Sequence, residues 1–357
     1  MVKTARPQKL PIKLDLGKFA EELANASFEL GKLDGLQRDL PNPSLLISPL
    51  ITKEATVSSR IEGTRSTISD VFFYEATKEG KYDDTIEVFN YRKAMILAID
   101  ALKYRKLDIA FIKELHSVLL EGARGESYRG KFRENLVFIG KKGATIEKAT
   151  YVPPEPILIR DYMENLENYI LRNGENPLVK SAIIHYQFEA IHPFEDGNGR
   201  IGRLLIPLYL YQKELLYQPI LFLSGYFEKH RDDYINYLHL VDKEHNYEEW
   251  IKFFLISVKN QAKETQELIY QIRNLIEEIN GITESIKSPY ISKIVDFIFS
   301  NPIFSNSELN KNIKANKVTS LRLIKKLEEY KILVPFVPPK RKREIYIFEK
   351  LIKLLSH

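Results

Sequence analysis

The stretch His192-Pro-Phe-Glu-Asp-Gly-Asn-Gly-Arg-Ile-Gly-Arg203 sets the reading of the whole chain. Glycines at 197 and 199 permit a tight turn in which successive backbone N–H groups point the same way. An apolar-periodic segment follows at once, so the turn feeds the start of a helix, expected over Gly199–Leu216. The first N–H groups of a helix have no intrahelical acceptor, and on a glycine loop they make an anion cradle. Arg200 and Arg203 stand three apart on one face of the first turn. Their guanidinium forks suit phosphate oxygens better than an ammonium does. Asp196 offers hard oxygens for a Mg2+ ion bridging phosphates. His192, just before the turn, has an ordinary pKa of about 6.5, suited to a general base near neutral pH.

Each of these residues has a plain structural alternative: His192 as the last residue of a helix, Asp196 as a cap. Their joint occurrence reads instead as the parts for phosphoryl or nucleotidyl transfer. The stretch is not a P-loop, because no Gly-Lys-Ser/Thr follows the glycines, and the chain has no His-Glu-x-x-His zinc signature.

Outward from this loop, most of the 357 residues carry helical spacing. Helices are expected over 16–33, from Ser48-Pro49 to about Arg60, and over 85–103, 108–120, 155–173, 178–191 and 248–278. Pro41-Asn-Pro43 breaks the pattern. Asn135-Leu-Val-Phe-Ile139 and Thr150-Tyr-Val152, joined through the turn Gly140-Lys-Lys-Gly143, predict a β-hairpin. Gly281 and Pro289 bracket a linker. Beyond it, helices at 290–299, 305–313 and 317–330 precede strands at 333–337 and 344–348 around a basic tip, Pro338-Pro-Lys-Arg-Lys-Arg343, the order of a winged helix-turn-helix. The net charge is +5, but residues 287–357 carry 15 Lys/Arg against 6 Asp/Glu, leaving the first 286 residues mildly acidic. That imbalance suits a DNA-contacting or docking module, or simply a solvated basic surface. No cysteine is present, which removes disulfides and thiolate chemistry and fits a cytoplasmic location; no apolar run is long enough to span a bilayer, so no membrane partner is expected.

From His192 to Arg203 the chain resembles the Fic family, matching His-Pro-Phe-x-Asp/Glu-Gly-Asn-Gly-Arg-x-x-Arg at every position. The resemblance implies a mainly α fold: a Fic-type helical bundle with a β-hairpin flap, here followed by the winged helix-turn-helix. The regions expected are 1–85 (N-terminal, helical, inhibitory), 86–280 (the catalytic core) and 287–357 (the winged helix). It implies a protein adenylyltransferase moving AMP from ATP to Ser, Thr or Tyr hydroxyls. His192 would be the catalytic base and Asp196 the Mg2+ ligand. The ATP site would comprise Glu62, His192, Gly197, Asn198, Gly199, Arg200, Ile201, Gly202 and Arg203. Where the family carries Asn-Arg-x-x-Tyr-Tyr, this chain has His230-Arg-Asp-Asp-Tyr234, leaving Tyr234 as the nucleobase contact.

Upstream, Ser58-Ser-Arg-Ile-Glu-Gly63 resembles the family's inhibitory motif, Ser/Thr-x-x-x-Glu-Gly/Asn. Ser58, Glu62 and Gly63 are then the inhibitory residues. In the family this glutamate pairs with the second arginine, here Arg203, and so blocks productive ATP binding; it is also linked to AMP removal. The resemblance further implies a target protein docked on the flap at 136–152, self-modification and a homodimer. The competing expectation is a DNA-binding regulator whose Fic core senses nucleotide.

Overall fold

The computed structural model describes residues 3–38, 44–79, 84–140, 143–336 and 345–356. Pro41-Asn-Pro43, two residues of the flap turn and the basic tip 338–343 lie outside them. The chain divides into two compact units. The first takes in Met1–Gly35 and Asn90–Lys263, the second Leu36–Phe89 and Glu264–His357.

In the first unit the helices are α1 (Ala20–Arg38, through residue 35), α4 (Thr85–Ala101, from residue 90), α5 (Ile109–Leu119), α6 (Pro156–Leu171), α7 (Pro177–Ile191), α8 (Asn198–Gln212), α9 (Ser224–Lys229), α10 (Arg231–Glu244) and the first half of α11 (Tyr247–Thr283). At its centre is α7. It starts with Pro177 at the first helical position and Asn176 as the cap, whose side chain accepts from Leu178 N–H at 2.9 Å. Nearly every residue from Leu178 to Ile191 is buried, polar ones included. Such a helix needs partners for its polar groups. Two of these are clear: Lys180 Nζ donates to the Tyr169 carbonyl at 2.7 Å, and Trp250 Nε1 donates to the Ala182 carbonyl at 2.9 Å. Against α7 lies α8, which begins at Asn198, one residue before the expected start, and stops at Gln212 rather than Leu216.

The expected hairpin is a loop with a single bridge, Ile139 to Tyr151. Ile139 N–H donates to the Tyr151 carbonyl and Thr150 N–H to that of Ile139, each at 2.8 Å. Longer pairing fails because a 3-10 turn, Ile146–Lys148, interrupts the return side and Pro153-Pro154 then removes two N–H donors.

In the second unit, α2 (Ser44–Ile61) packs with α3 (Ile68–Thr77), α12 (Ile291–Ser300) and α15 (Glu349–Ser356), and α13 (Asn306–Ile313) joins α12 to α14 (Lys317–Glu329). Strands β1 (Ile303–Ser305), β2 (Val334–Phe336) and β3 (Ile345–Ile347) form an antiparallel sheet in the order β1-β3-β2, with Phe304 and Pro335 both opposite Tyr346. Pro335 is tolerated because β2 is an edge strand. Three expectations need correction here. The helix predicted from Ser48-Pro49 begins earlier, at Ser44, with Pro49 inside it, and the Ser48 hydroxyl donates to the Ser300 carbonyl at 2.7 Å instead of capping. The predicted linker is shortened because α11 continues through Gly281 to Thr283. And α3, β1 and α15 form where no element was read; α3 is fixed by a full capping box between Thr67 and Asp70.

Candidate active site

The end of α7 makes the first half of the site. His192 caps the helix in the left-handed region (φ 50°, ψ 61°), and its N–H still reaches the Phe188 carbonyl at 3.0 Å. A helix ending this way turns its chain sharply, so the next residues fold back toward α8. The turn closes on Asn198. Phe194 N–H donates to Asn198 Oδ1, and Asn198 Nδ2 donates to the Phe194 carbonyl, both at 2.8 Å. Phe194 is fully buried against Phe132 and Phe188. Gly197 then enters α8 with φ +80°, a backbone that strains any other residue, and a Cβ there would sit 3.2 Å from Leu119 Cδ2, which would have to yield slightly. Gly199 lies within the first turn of α8.

Asp196 points its carboxylate across the start of α8. Oδ1 accepts from Gly197 N–H at 2.6 Å and from Arg200 Nη2 at 3.4 Å; Oδ2 accepts from Arg124 Nε at 3.1 Å. Arg200 and Arg203 are almost wholly buried, 1% and 3% exposed. Ile201 is core, its side chain fully buried. A single part-exposed carboxylate beside an anion cradle fits Mg2+, which keeps waters and takes further ligands from substrate phosphates. Among the described residues no cluster of three acidic or histidine side chains offers an all-protein cage.

Two residues outside the motif hold this geometry. Arg133 is buried with its fork among backbone carbonyls: Nε donates to His192 O at 2.8 Å, Nη1 to Asn135 O at 2.9 Å, and Nη2 to Pro154 O at 2.7 Å. Its own N–H donates to Pro193 O at 2.9 Å. One guanidinium therefore ties the base of the flap to the turn that presents His192, and burial lowers its pKa from the ordinary value. His116, on α5, lies flat on Phe194 with ring centroids 3.7 Å apart and 6° between planes. Burial pushes it down to about 4, against the pull of the Asp196 carbonyl, so the ring is neutral near pH 7. Neither was assigned a role from the sequence: His116 is one histidine of seven, and Arg133 merely ends the run Tyr128-Arg-Gly-Lys-Phe-Arg133 that leads into the flap.

Behind α8, His185 is fully buried between the Gly202 carbonyl (Nδ1, 3.0 Å) and the Tyr234 hydroxyl (Nε2, 2.9 Å). The carbonyl can only accept, so Nδ1 carries the proton and Tyr234 donates to Nε2. Burial pushes His185 down to about 3; the Gly202 carbonyl opposes this and the Arg203 charge adds to it. Tyr234 is 5% exposed with its ring stacked on Phe227, so its visible work is to hold His185.

Ser58, Glu62 and Gly63 lie in the second unit, at the end of α2. Ser58 is buried and Glu62 exposed. The helix closes with Gly63 at φ +95° and Thr64 N–H bonded back to the Ser59 carbonyl at 3.3 Å. Glycine supplies the left-handed residue such an ending needs.

With this geometry in view, two family models match the chain: "Fic/DOC family N-terminal" over residues 20–100 and "Fic/DOC family" over residues 106–210, together more than half of it. The chain belongs to the Fic/DOC family. The protein adenylyltransferase Fic of Drosophila virilis is 30% identical over 193 residues, covering 51% of this Fic/DOC chain and 36% of that protein. A probable protein adenylyltransferase of Aquifex aeolicus is 38% identical over 77 residues, 21% of this chain and 24% of that one. The chain thus matches about a third or less of the length of these curated relatives. Among solved structures, a Fic family protein from Desulfovibrio desulfuricans superposes with a TM-score of 0.61 at 20% identity, covering 96% of this chain and 98% of that one. Fic-1 from C. elegans does so with 0.57 at 18% identity, covering 72% and 74%. These likenesses establish the fold: mainly helical, with one small antiparallel sheet. No helix among the described residues is long and apolar enough to cross a membrane.

Proposed function

We propose that this Fic/DOC chain transfers AMP from ATP to a hydroxyl side chain of a protein. The observation that carries the reading is the pairing of His192, at the left-handed end of α7, with the glycine-led start of α8 and its two arginines. ATP is bound with its phosphates on the N–H groups that open α8 and on Arg200 and Arg203. Mg2+ held by Asp196 would supply charge neutralisation of the phosphates. His192 takes the proton of the target hydroxyl as that oxygen bonds to the α-phosphorus, and the bond to pyrophosphate breaks. The relatives named protein adenylyltransferase support the same chemistry. The target segment is taken along the flap edge, where Leu136, Phe138 and Ile139 are exposed. Glu62 restrains transfer, and self-modification, AMP removal and a homodimer remain part of the proposal.

The test is incubation with ATP labelled at the α-phosphate. His192→Ala should lose transfer by about 10²–10⁴-fold while retaining ATP binding. Near-normal labelling by that variant would remove the assignment.

A second reading concerns residues 287–357 as a winged helix-turn-helix that meets nucleic acid. It is favoured by the order α12-β1-α13-α14-β2-β3 and by Lys317, Arg322, Lys325 and Lys326, all exposed on α14. Duplex DNA retention that weakens with salt, and is lost in Arg322→Ala/Lys325→Ala/Lys326→Ala, supports it. Retention absent at low salt leaves a docking role.

A further inference from the structure

We propose that His116 is a positioning residue for the anion-binding loop, an inference that rests on the AMP-transfer reading above. His116 does not belong to the 192–203 stretch; it sits near the end of α5, 80 positions from its partner Asp196. Three features of the loop, at 194, 196 and 197, meet this one imidazole. Phe194 is stacked on its face at 3.7 Å. The Asp196 carbonyl lies 2.9 Å from Nε2. Gly197 lies beside its edge, where a Cβ would be in ordinary contact with Nε2 at 3.5 Å.

The hydrogen bonds assign the tautomer. Gly130 N–H donates to Nδ1 at 2.9 Å, so Nδ1 is an acceptor and the single ring proton is on Nε2. Nε2–H then donates to the Asp196 carbonyl, which can only accept. The other tautomer would set two donors together at Gly130 and two acceptors together at Asp196. The ring is therefore held in one state by two backbone groups from different segments.

The consequence runs through peptide planarity. The carbonyl of Asp196 and the N–H of Gly197 belong to the same peptide unit and point in opposite directions. Fixing the carbonyl on His116 turns the Gly197 N–H the other way, where it meets Asp196 Oδ1 at 2.6 Å. His116 thus orients both the peptide joining Asp196 to Gly197, the cap of α8, and the carboxylate beside the phosphate cradle. It needs no contact with ATP to do so.

The test compares His116→Phe and His116→Gln with wild type. Phenylalanine keeps a flat ring on Phe194 but has neither lone pair nor N–H. Glutamine loses the stack but can place an amide N–H near the position of Nε2. Binding of a non-hydrolysable ATP analogue with Mg2+, followed by calorimetry, should weaken about tenfold in His116→Phe, the size of one lost hydrogen bond. His116→Gln should recover most of that loss. In transfer assays the defect of His116→Phe should fall on KM for ATP more than on kcat. A packing role alone predicts the opposite order, with His116→Phe near wild type and His116→Gln impaired, and that result overturns the proposal. Ring-nitrogen NMR of wild type offers a check that survives a misfolded variant: an Nδ1–H tautomer also overturns it. Wild type and Glu62→Gly that both bind the analogue but transfer nothing remove the AMP-transfer reading and leave His116 judged by binding. Wild type that binds no nucleotide removes both.

Discussion

Asn198 brackets the backbone of Phe194, accepting from its N–H and donating to its carbonyl, each at 2.8 Å. The amide is 2% exposed, so its side chain shapes the loop while its backbone opens α8. Asn198→Ala strands two buried groups at once, and we expect a loss of about 2–4 kcal/mol of stability together with AMP transfer. Asn198→Asp keeps one bond but turns an acceptor onto the Phe194 carbonyl, so it should not restore either. Thermal denaturation decides this, and an unchanged melting point in Asn198→Ala would show the clamp to be dispensable.

At Gly202 the approach of α7 and α8 admits no side chain. A Cβ there would lie 2.2 Å from Glu189 Oε1 and 3.3 Å from Phe188 Cδ1. Gly202→Ala should cost about 1–3 kcal/mol by overpacking. The glutamate end is flexible, so the double variant Gly202→Ala/Glu189→Ala should recover part of the loss, the Phe188 contact keeping the rest. Chemical denaturation of the pair would show it, and equal stability of both variants would place the strain elsewhere.

The buried His185 makes stability depend on pH in a stated direction. Its pKa is about 3 in the folded chain and about 6.5 when unfolded. The folded state keeps the ring neutral while the unfolded chain takes up a proton. The contribution is therefore complete above 6.5 and drains away as pH falls toward 3. By pH 5 the expected loss is about 2 kcal/mol from this group. His185→Gln should flatten the change in stability between pH 7.5 and 5. An equally steep profile in that variant would assign the acid sensitivity to other groups.

Glu62→Gly should raise AMP incorporation several-fold without loss of fold, and should abolish release of AMP from premodified protein if Glu62 orients the attacking water. Arg203→Ala should not relieve inhibition, because the same arginine is needed to orient the triphosphate. Incorporation and release, measured on both variants with labelled AMP, test this. Incorporation unchanged in Glu62→Gly would leave the 58–63 segment a helix ending and nothing more.

The loop was legible because its parts are local: base, carboxylate, glycines and arginines fall within twelve positions and need only the turn between α7 and α8 to meet. The residues that brace it were not, because His116 and Arg133 act on backbone groups 80 and 59 positions away, and no periodicity marks such a pairing. Tyr234 was read as a nucleobase contact from its place in a motif, and its bond to His185 could be seen only in three dimensions. The helices were read well where an apolar stripe ran for three turns or more. Some pieces escaped: β1 has three residues, too few to show alternation, and α15 only eight, while the 14-residue α10 (Arg231–Glu244) was not read as a helix at all. Pro49 was taken for a helix start, whereas the helix absorbs it and begins one turn earlier.

The left-handed backbone of His192 sets two evolutionary pressures against each other at a single codon. A side chain at φ 50° costs about 1 kcal/mol that glycine would not incur. Screening for heat resistance alone would favour glycine there, and screening for turnover would hold histidine. A library of this chain sorted only for folded survivors should therefore enrich inactive His192→Gly proteins, so that the sturdiest members of such a pool are the ones least able to work.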